Sequence, residues 1–448
     1  MSVSRGSTAA VGAPLVRRAR RRLASPVSVS LIGKSLELVG LVALATLVPR
    51  ILGPADYGVF ALALTVVTLG ATSLTLGGPT VMARFVPAAD AADRAGVARA
   101  IGARLAAGRA AQMALLATLA AGLVLLAPAT FAPTLTLLVM AGLAVNVAAT
   151  LALQVSLGLG HTIAWSFRWG LQNAVLVATA LPLHAAAGPT GAIAAIVVAG
   201  LPALALGLAS VARPLRASPP GTALPPGAIR FGTLQAATGS LTQVVHRGGV
   251  VAVAVLAGSS VETGYAALAV GIGLAGFYVV SQAFIVSLPG RVEAARADPI
   301  AAEAAVCRLA WFSLAALVPA MLAAVALVGP ALELALGSSF RGAREAFPPA
   351  LAFVTLAPLN AAALQASALR LQPEAALWGA VGALMAFLGA AAVAVPAWGA
   401  PGAAVATLAG SIAAPLVAGA RLPGALGRGL VAASLAGVVL VLVAGVTV

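Results

Sequence analysis

Apolar runs of about twenty residues alternate with short stretches rich in Gly, Pro and Arg along nearly the whole chain. Runs of ~20 apolar residues cross a ~30 Å hydrocarbon core as helices, because a helix satisfies its own backbone. The pattern predicts about thirteen spans, at 27–48, 58–82, 106–127, 131–156, 165–186, 190–211, 231–256, 262–288, 305–328, 346–369, 375–396, 401–420 and 427–447. Junctions such as APATFAP, HAAAGPTG and AWGAPG punctuate them. Period-2 alternation is absent, which argues against a barrel. The expected fold class is therefore all-α integral membrane.

Composition sharpens this. Of 448 residues, 61% are hydrophobic and 8% charged, too few charges to cover a soluble surface, which needs roughly 25%. The net charge is +15, carried by dispersed Arg with few aromatics, which does not describe a nucleic-acid groove. The Arg positions set an orientation instead. With the N-terminus cytoplasmic, inner connections hold Arg94, Arg99, Arg104, Arg168, Arg213, Arg216, Arg230, Arg291, Arg296, Arg308, Arg370, Arg421 and Arg428. Outer ones hold only Arg50, Arg341 and Arg344. The expected location is the cell inner membrane. The run after the basic RRARRRLASP arm is too long for a cleaved signal, whose apolar core is ~7–15 residues, and reads as a retained first span. The charged segment 88–109 is expected along the inner surface before span 3.

The chain repeats itself. Asp56-Tyr57-Gly58 opens span 2, and Glu262-Thr263-Gly264 opens span 8, 206 residues later. Gly188-Pro189-Thr190-Gly191 opens span 6, and Gly399-Ala400-Pro401-Gly402 opens span 12, 211 residues later. Six spans is an even number, so both halves enter the membrane in the same sense. This predicts parallel repeats about a pseudo-two-fold along the membrane normal. The expected organisation is a basic cytoplasmic arm (1–26), a six-helix bundle (27–211), a Pro-rich linker (212–230), a second six-helix bundle (231–421) and one additional transmembrane helix (422–448). Asp56 and Glu262 are expected to cap their own helices.

Chemistry points to passage rather than catalysis. There is no Walker A, HExxH or nucleophile-elbow motif, and outer loops are short. A single cysteine, Cys307, precludes an internal disulfide or a Cys-based metal cluster, and nothing calls for a cofactor. Charges inside spans are the informative residues, since each costs at least ~2.5–3.5 kcal/mol in lipid. Lys34, the only lysine, lies about 10 Å into span 1. Glu37, three residues on, shares its face and either neutralises it or joins it in a site. In span 7, Gln235, Thr242, Gln243, His246 and Arg247 fall within an arc of about 140° at ~100° per residue. That face either lines a watery path or bonds to neighbouring helices. Asn146, Thr150 and Gln154 form a smaller stripe in span 4, read as contacts between helices. Arg84 and Arg291 stand at corresponding places near the inner interface, either as topology anchors or as phosphate contacts. Lys34, Arg84 and Arg247 outnumber Glu37, so a cavity lined by them favours a large anion such as a phospholipid or lipid-linked pyrophosphate.

Three stretches carry a resemblance: LGPADYGVFALALTVVTLG leading to ARFVP; VLAGSSVETGYAALAVGIG followed by SLPGRVEAA; and ALGSSFRGAREAF through to PAWGAPGAAVATLAGS. In their order and spacing the chain resembles the polysaccharide-biosynthesis flippases of the multidrug/oligosaccharidyl-lipid/polysaccharide exporter superfamily. The resemblance covers most of residues 27–421. It implies two six-helix bundles in a V and alternating access. It also implies outward movement of an undecaprenyl-pyrophosphate-linked glycan through a cationic cavity lined by spans 1, 2, 7 and 8. Lys34, Arg84 and Arg247, with Gln243 and Gln235, then become substrate contacts, and Glu37 and His246 candidate coupling groups. Expected partners are the lipid-linked oligosaccharide, membrane lipid and glycan-assembly proteins. Twelve or fourteen spans are usual in that family, so a thirteenth departs from it. A cation-coupled multidrug exporter of the same fold is the nearest alternative. An integral-membrane glycan-assembly enzyme or scaffold is a second.

Overall fold

The computed structural model describes residues 26–75, 77–87, 89–90, 92–128, 131–218, 223–370 and 372–446; the basic arm expected over the first residues lies almost wholly outside them. The described residues are helical almost throughout. In chain order the helices are α1 (Pro26–Ser73), α2 (Gly78–Phe85), α3 (Arg94–Leu126), α4 (Pro133–Gly158), α5 (Thr162–Ala217), α6 (Ala228–Leu256) and α7 (Ser260–Ala297). Then come α8 (Pro299–Leu336), a 3₁₀ turn (Ser338–Ala346), α9 (Phe347–Thr355), α10 (Ala357–Leu369), α11 (Pro373–Trp398), α12 (Ala400–Arg421) and α13 (Gly424–Val446). Among the described residues, ten helical stretches are long and apolar enough to cross a membrane. Two of these, 48 and 55 residues long, have the length for two crossings each at ~1.5 Å per residue. The protein is a multi-pass membrane protein.

The punctuation works by bending helices rather than by opening loops. α1 turns at Gly53 (φ 73°, ψ 167°), with Pro49 and Pro54 removing two backbone donors beside it. α5 turns at Gly188 (φ 59°, ψ −146°), followed by Pro189. Three expectations change. The segment 88–109 is no separate surface helix: from Arg94 it is continuous with α3, and Val97, Ile101 and Leu105 are buried against Met82, Val155 and Val211. The linker expected at 212–230 is helical at both ends, since α5 runs to Ala217 and α6 starts at Ala228. The span expected at 346–369 breaks at Leu356, because Pro358 starts a new helix there.

The repeat is visible in backbone detail. Gly188 and Gly399 both adopt positive φ, 59° and 60°. A Cβ on Gly191 would overlap the Leu183 carbonyl, and one on Gly402 the Ala394 carbonyl, eight residues back in each case. Where the halves meet, a Cβ on Gly58 would overlap the Ser260 carbonyl and one on Gly264 the Pro54 carbonyl. Ser260 and Gly264 each follow Pro54 and Gly58 by 206 residues. The contact is thus isologous: each half offers the same patch to the other, as a two-fold axis requires. Phe340 seals it, edge-on to Tyr57 at 6.1 Å and Tyr265 at 6.0 Å between centroids. One apolar cluster, including Phe60, Val67, Val250, Ala266 and Val270, joins both halves at this end.

Candidate functional site

The polar stripe of α6 divides into two faces. Thr242, Gln243 and His246 open into a cavity of about 260 Å³ inside the C-terminal half, with Tyr278 of α7, Asn360 of α10 and Ser411 of α12 also in its wall. Gln243 donates Nε2 to the Tyr278 hydroxyl at 2.8 Å. The His246 ring, 5% exposed, meets Phe277, Phe353 and Tyr278 edge-on at 4.8, 5.4 and 6.0 Å between centroids. Gln235 is half-buried and shares their azimuth about 10 Å nearer the start of α6.

Arg247 belongs to the other face. Ser240 Oγ donates to the Ser73 carbonyl of α1 at 3.2 Å. Arg247 follows Ser240 by seven residues and so stands about 20° from it around the helix, turned to the flank that meets α1. Its Nε donates to Gln243 Oε1 at 3.3 Å. Gln243 therefore links the flank between the halves to the cavity within one half.

The candidates of the N-terminal half are placed differently. Lys34 and Arg84 lie on α1 and α2, and Arg291 on α7, with side chains outside the described residues. Glu37 is half-buried on the face of α1 that packs on α5, where Gly33 lies against Ser166 and Gly40 against Asn173. It is within electrostatic range of Arg168. The Arg168 guanidinium lies 3.5 Å over the Trp165 ring and donates to the Trp165 carbonyl. An arginine read from sequence as a connection residue is thus a cation near Glu37. Glu37 and His246 sit in different halves.

A further buried charge escaped the sequence reading. Arg109 of α3 is 2% exposed. Its Nη2 donates to the Thr75 carbonyl at 2.8 Å and to Gln154 Oε1, and its Nη1 to the Val147 carbonyl at 3.4 Å. It joins α3 and α4 to the broken end of α1. Gln154, one of the three stripe residues of α4, thus bonds to a neighbouring helix. So does Asn146, whose Oδ1 accepts from Gln172 Nε2 at 2.6 Å.

The paired acids do not cap their own helices. Asp56 Oδ2 lies 2.9 Å from His184 Nε2, beside the bend of α5. Glu262 Oε2 accepts from the Ala400 amide at 2.8 Å, at the first residue of α12. Ser259 Oγ accepts from the Glu262 amide instead. Each acid therefore ties the repeat's entering helix to the bend or turn that joins the last two helices of its own half. Among the described residues, no group of three or more His, Cys, Asp or Glu is placed to hold a metal ion.

Two helical halves that meet through matching patches, with matching glycines at a bend or turn in each, make a fold shared with solved membrane transporters. Among solved structures, the chain is similar to the lipid II flippase MurJ in an inward closed conformation, with TM-score 0.65 and 11% identity over 93% of this chain and 91% of that one. It is also similar to the Vibrio cholerae MATE transporter VcmN (TM-score 0.56, 14% identity, 94% and 97% covered). An inward-facing multidrug resistance MATE family transporter gives TM-score 0.52 at 14% identity, with 94% and 98% covered. No family model and no curated protein matches the chain in sequence.

Proposed function

We propose that the protein is a flippase. It moves a polyprenyl-pyrophosphate-linked oligosaccharide, a polysaccharide repeat unit, from the inner to the outer leaflet of the cell inner membrane by alternating access. The observation that carries the reading is Arg247, a cation on the same flank of α6 as Ser240, whose hydroxyl bonds to α1. A guanidinium on low-dielectric walls attracts pyrophosphate strongly and pairs with it bidentately. The likeness to a lipid II flippase supports the same substrate class.

In this reading the halves 27–211 and 231–421 rock about the connection between the helix that ends at Ala217 and the one that starts at Ala228. The arm 1–26 stays cytoplasmic, and 422–448 adds a helix. Lys34, Arg84 and Arg247 greet the pyrophosphate, with Gln243 and Gln235 beside them. Glu37 and His246 are the candidate coupling groups, and glycan-assembly proteins supply the substrate. The polyprenyl tail stays in lipid while the head passes between the halves.

A cation-coupled multidrug exporter is the second reading, favoured by the likeness to MATE transporters. Deleting the gene and extracting lipids separates the two. The flippase predicts lipid-linked repeat units accumulating in the inner leaflet. Unchanged lipids with new drug sensitivity would overturn it in favour of the exporter.

A further inference from the structure

We infer that the open cavity between the α4–α5 turn and the last turns of α5 binds the phosphate head group of an anionic membrane phospholipid. It stands apart from Gln243, Arg247 and the other described path residues, and the inference does not rest on the flippase reading.

The cavity holds about 580 Å³, within the range of small-molecule sites (~300–1,000 Å³). His161 lies on one side, and Ala209, Ser210, Arg213, Pro214 and Ala217 of α5 on the other. Arg213 and His161 are exposed, and neither side chain makes a hydrogen bond or ion pair with a described residue. Ser210 has spent its hydroxyl proton on the Gly207 carbonyl at 2.6 Å. The free donors are a guanidinium and an imidazole, which keeps at least one N–H in either protonation state. Among the described residues no carboxylate lines the cavity. The pair fits a phosphate, whose oxygens accept two guanidinium N–H groups side by side. The negative pole at the end of α5 is offset there. Arg216 stands in its last turn, and Arg99 Nη1 donates to the Ser218 carbonyl at 3.3 Å.

The position makes the phosphate a lipid's. α4 is long and apolar enough to cross a membrane, and α5 has the length for two crossings and bends at Gly188. The α4–α5 turn and the end of α5 therefore lie at the same membrane surface. From Arg213, the residues Ala209, Ala205 and Leu201 follow at steps of four toward the hydrocarbon, each exposed, and form one ridge of α5. Leu208 beside it is 52% exposed. A phosphate held by Arg213 thus has an apolar track for its acyl chains. Basic pockets at the ends of membrane helices take such head groups.

The duplicated architecture supplies an internal comparison. At the offset of 211, His161 and Arg213 correspond to Gln372 and Gly424. The backbone agrees: the His161 amide donates to the Ser156 carbonyl and the Gln372 amide to the Ser367 carbonyl, both at 2.9 Å. In the C-terminal half the chain itself turns at Gly424 (φ 78°) into α13. A Cβ on Gly424 would meet Arg370 at 3.9 Å, and Arg370 donates to Glu303 at 2.8 Å. That half fills the place with its own chain and spends its cation on a carboxylate. The N-terminal half leaves the place open and Arg213 without a partner among the described residues.

The test uses the full chain purified in detergent, stripped of lipid and titrated with phosphatidylglycerol under native mass spectrometry. One phosphatidylglycerol is expected to bind more tightly than the rest, and about fivefold or more above zwitterionic phosphatidylcholine. Arg213→Gln removes charge-assisted bonds and should weaken that first binding about tenfold or more. Arg428→Gln, an exposed arginine at the corresponding end of the other half, should change it less than about twofold. Excess inorganic phosphate should not displace the lipid. A phosphatidylglycerol with a photoactivatable diazirine near its head should cross-link the unaltered protein at 159–163 or 205–217, which reads the location without a variant. Equal loss in both variants, no preference over phosphatidylcholine, displacement by phosphate, or adducts elsewhere would each overturn the proposal. The assay reads binding and not transport, so its failure and that of the flippase reading are separate results.

Discussion

Arg109 takes its charge into the protein interior and meets neutral oxygens there, from Thr75, Val147 and Gln154. The choice is physically sound. Thr75 lies just past Ser73, the end of α1, where unpaired carbonyls and the helix dipole make a negative pole. Replacing Arg109 with Met strands the buried Gln154 Oε1, at about 1–3 kcal/mol, while the Thr75 carbonyl keeps the Gly78 amide and the Val147 carbonyl its own helix. Arg109→Lys keeps the charge but not the fork that spans three oxygens. Melting followed by fluorescence-detected gel filtration is expected to rank wild type above Lys and Lys above Met, with Met lower by roughly 1–3 °C. Arg247 makes the opposite case, since among the described residues its hydrogen bond is to a side chain of its own helix. Arg247→Ala should cut flipping at least tenfold while membrane abundance holds; undiminished flipping would remove α6 from the path. Sequence alone separated these arginines poorly. Arg247 stood out because it lies deep in a predicted span, on a stripe of polar residues. Arg109 stood in the first turn of a predicted span, among arginines that look like topology markers, and its partners come from positions 34–45 residues away in the chain.

At the scale of elements, glycine and proline carried most of the legible signal. The bends at Gly53 and Gly188 and the turn at Gly399 fall where RILGPADYG, AAAGPTG and AWGAPG were read as junctions. A residue forced to positive φ costs a non-glycine side chain about 1–2 kcal/mol, and a proline beside it removes a donor, so the punctuation has a local cause. Span edges set by non-local packing were less legible. The inner stretch of α3 is charged at helical spacing, yet it buries one side against α2, α4 and α5, which no periodicity of its own announces. The two positive-φ glycines offer a matched test. A Cβ at Gly188 meets nothing within 4 Å, while one at Gly399 runs into the Glu262 carboxylate that holds the Ala400 amide. Gly188→Ala should therefore cost only the backbone term. Gly399→Ala should cost that and the charge-assisted bond, worth about 1.5–3 kcal/mol more. Paired thermal melts showing equal losses would mean that Glu262 is free to move aside.

At the scale of the whole molecule, the two halves touch through backbone where Gly58 and Gly264 cross. Small residues let helices approach closely in lipid, where van der Waals contact replaces the hydrophobic drive. The crossing itself has little side-chain interlock, so what holds this end shut is the apolar packing around it, where Phe340 sits between Tyr57 and Tyr265. The sequence disclosed the pair as a repeat at an offset of 206 but not that its two members touch, because a repeat says which positions are equivalent and not where the axis runs. The contact fixes the axis. It also makes a symmetric prediction: Gly58→Leu and Gly264→Leu each press a side chain into the other half's carbonyl, so each should hold this end apart to the same degree. With Cys307 changed to Ser, a cysteine at Ala266, which is 0% exposed in the shared cluster, reports the opening. A membrane-impermeant maleimide is expected to react with it at least tenfold faster in either leucine variant than in the parent. Equal protection in all three would show that the crossing is a fixed joint. An effect in only one variant would show that the halves, though built alike, do not move alike.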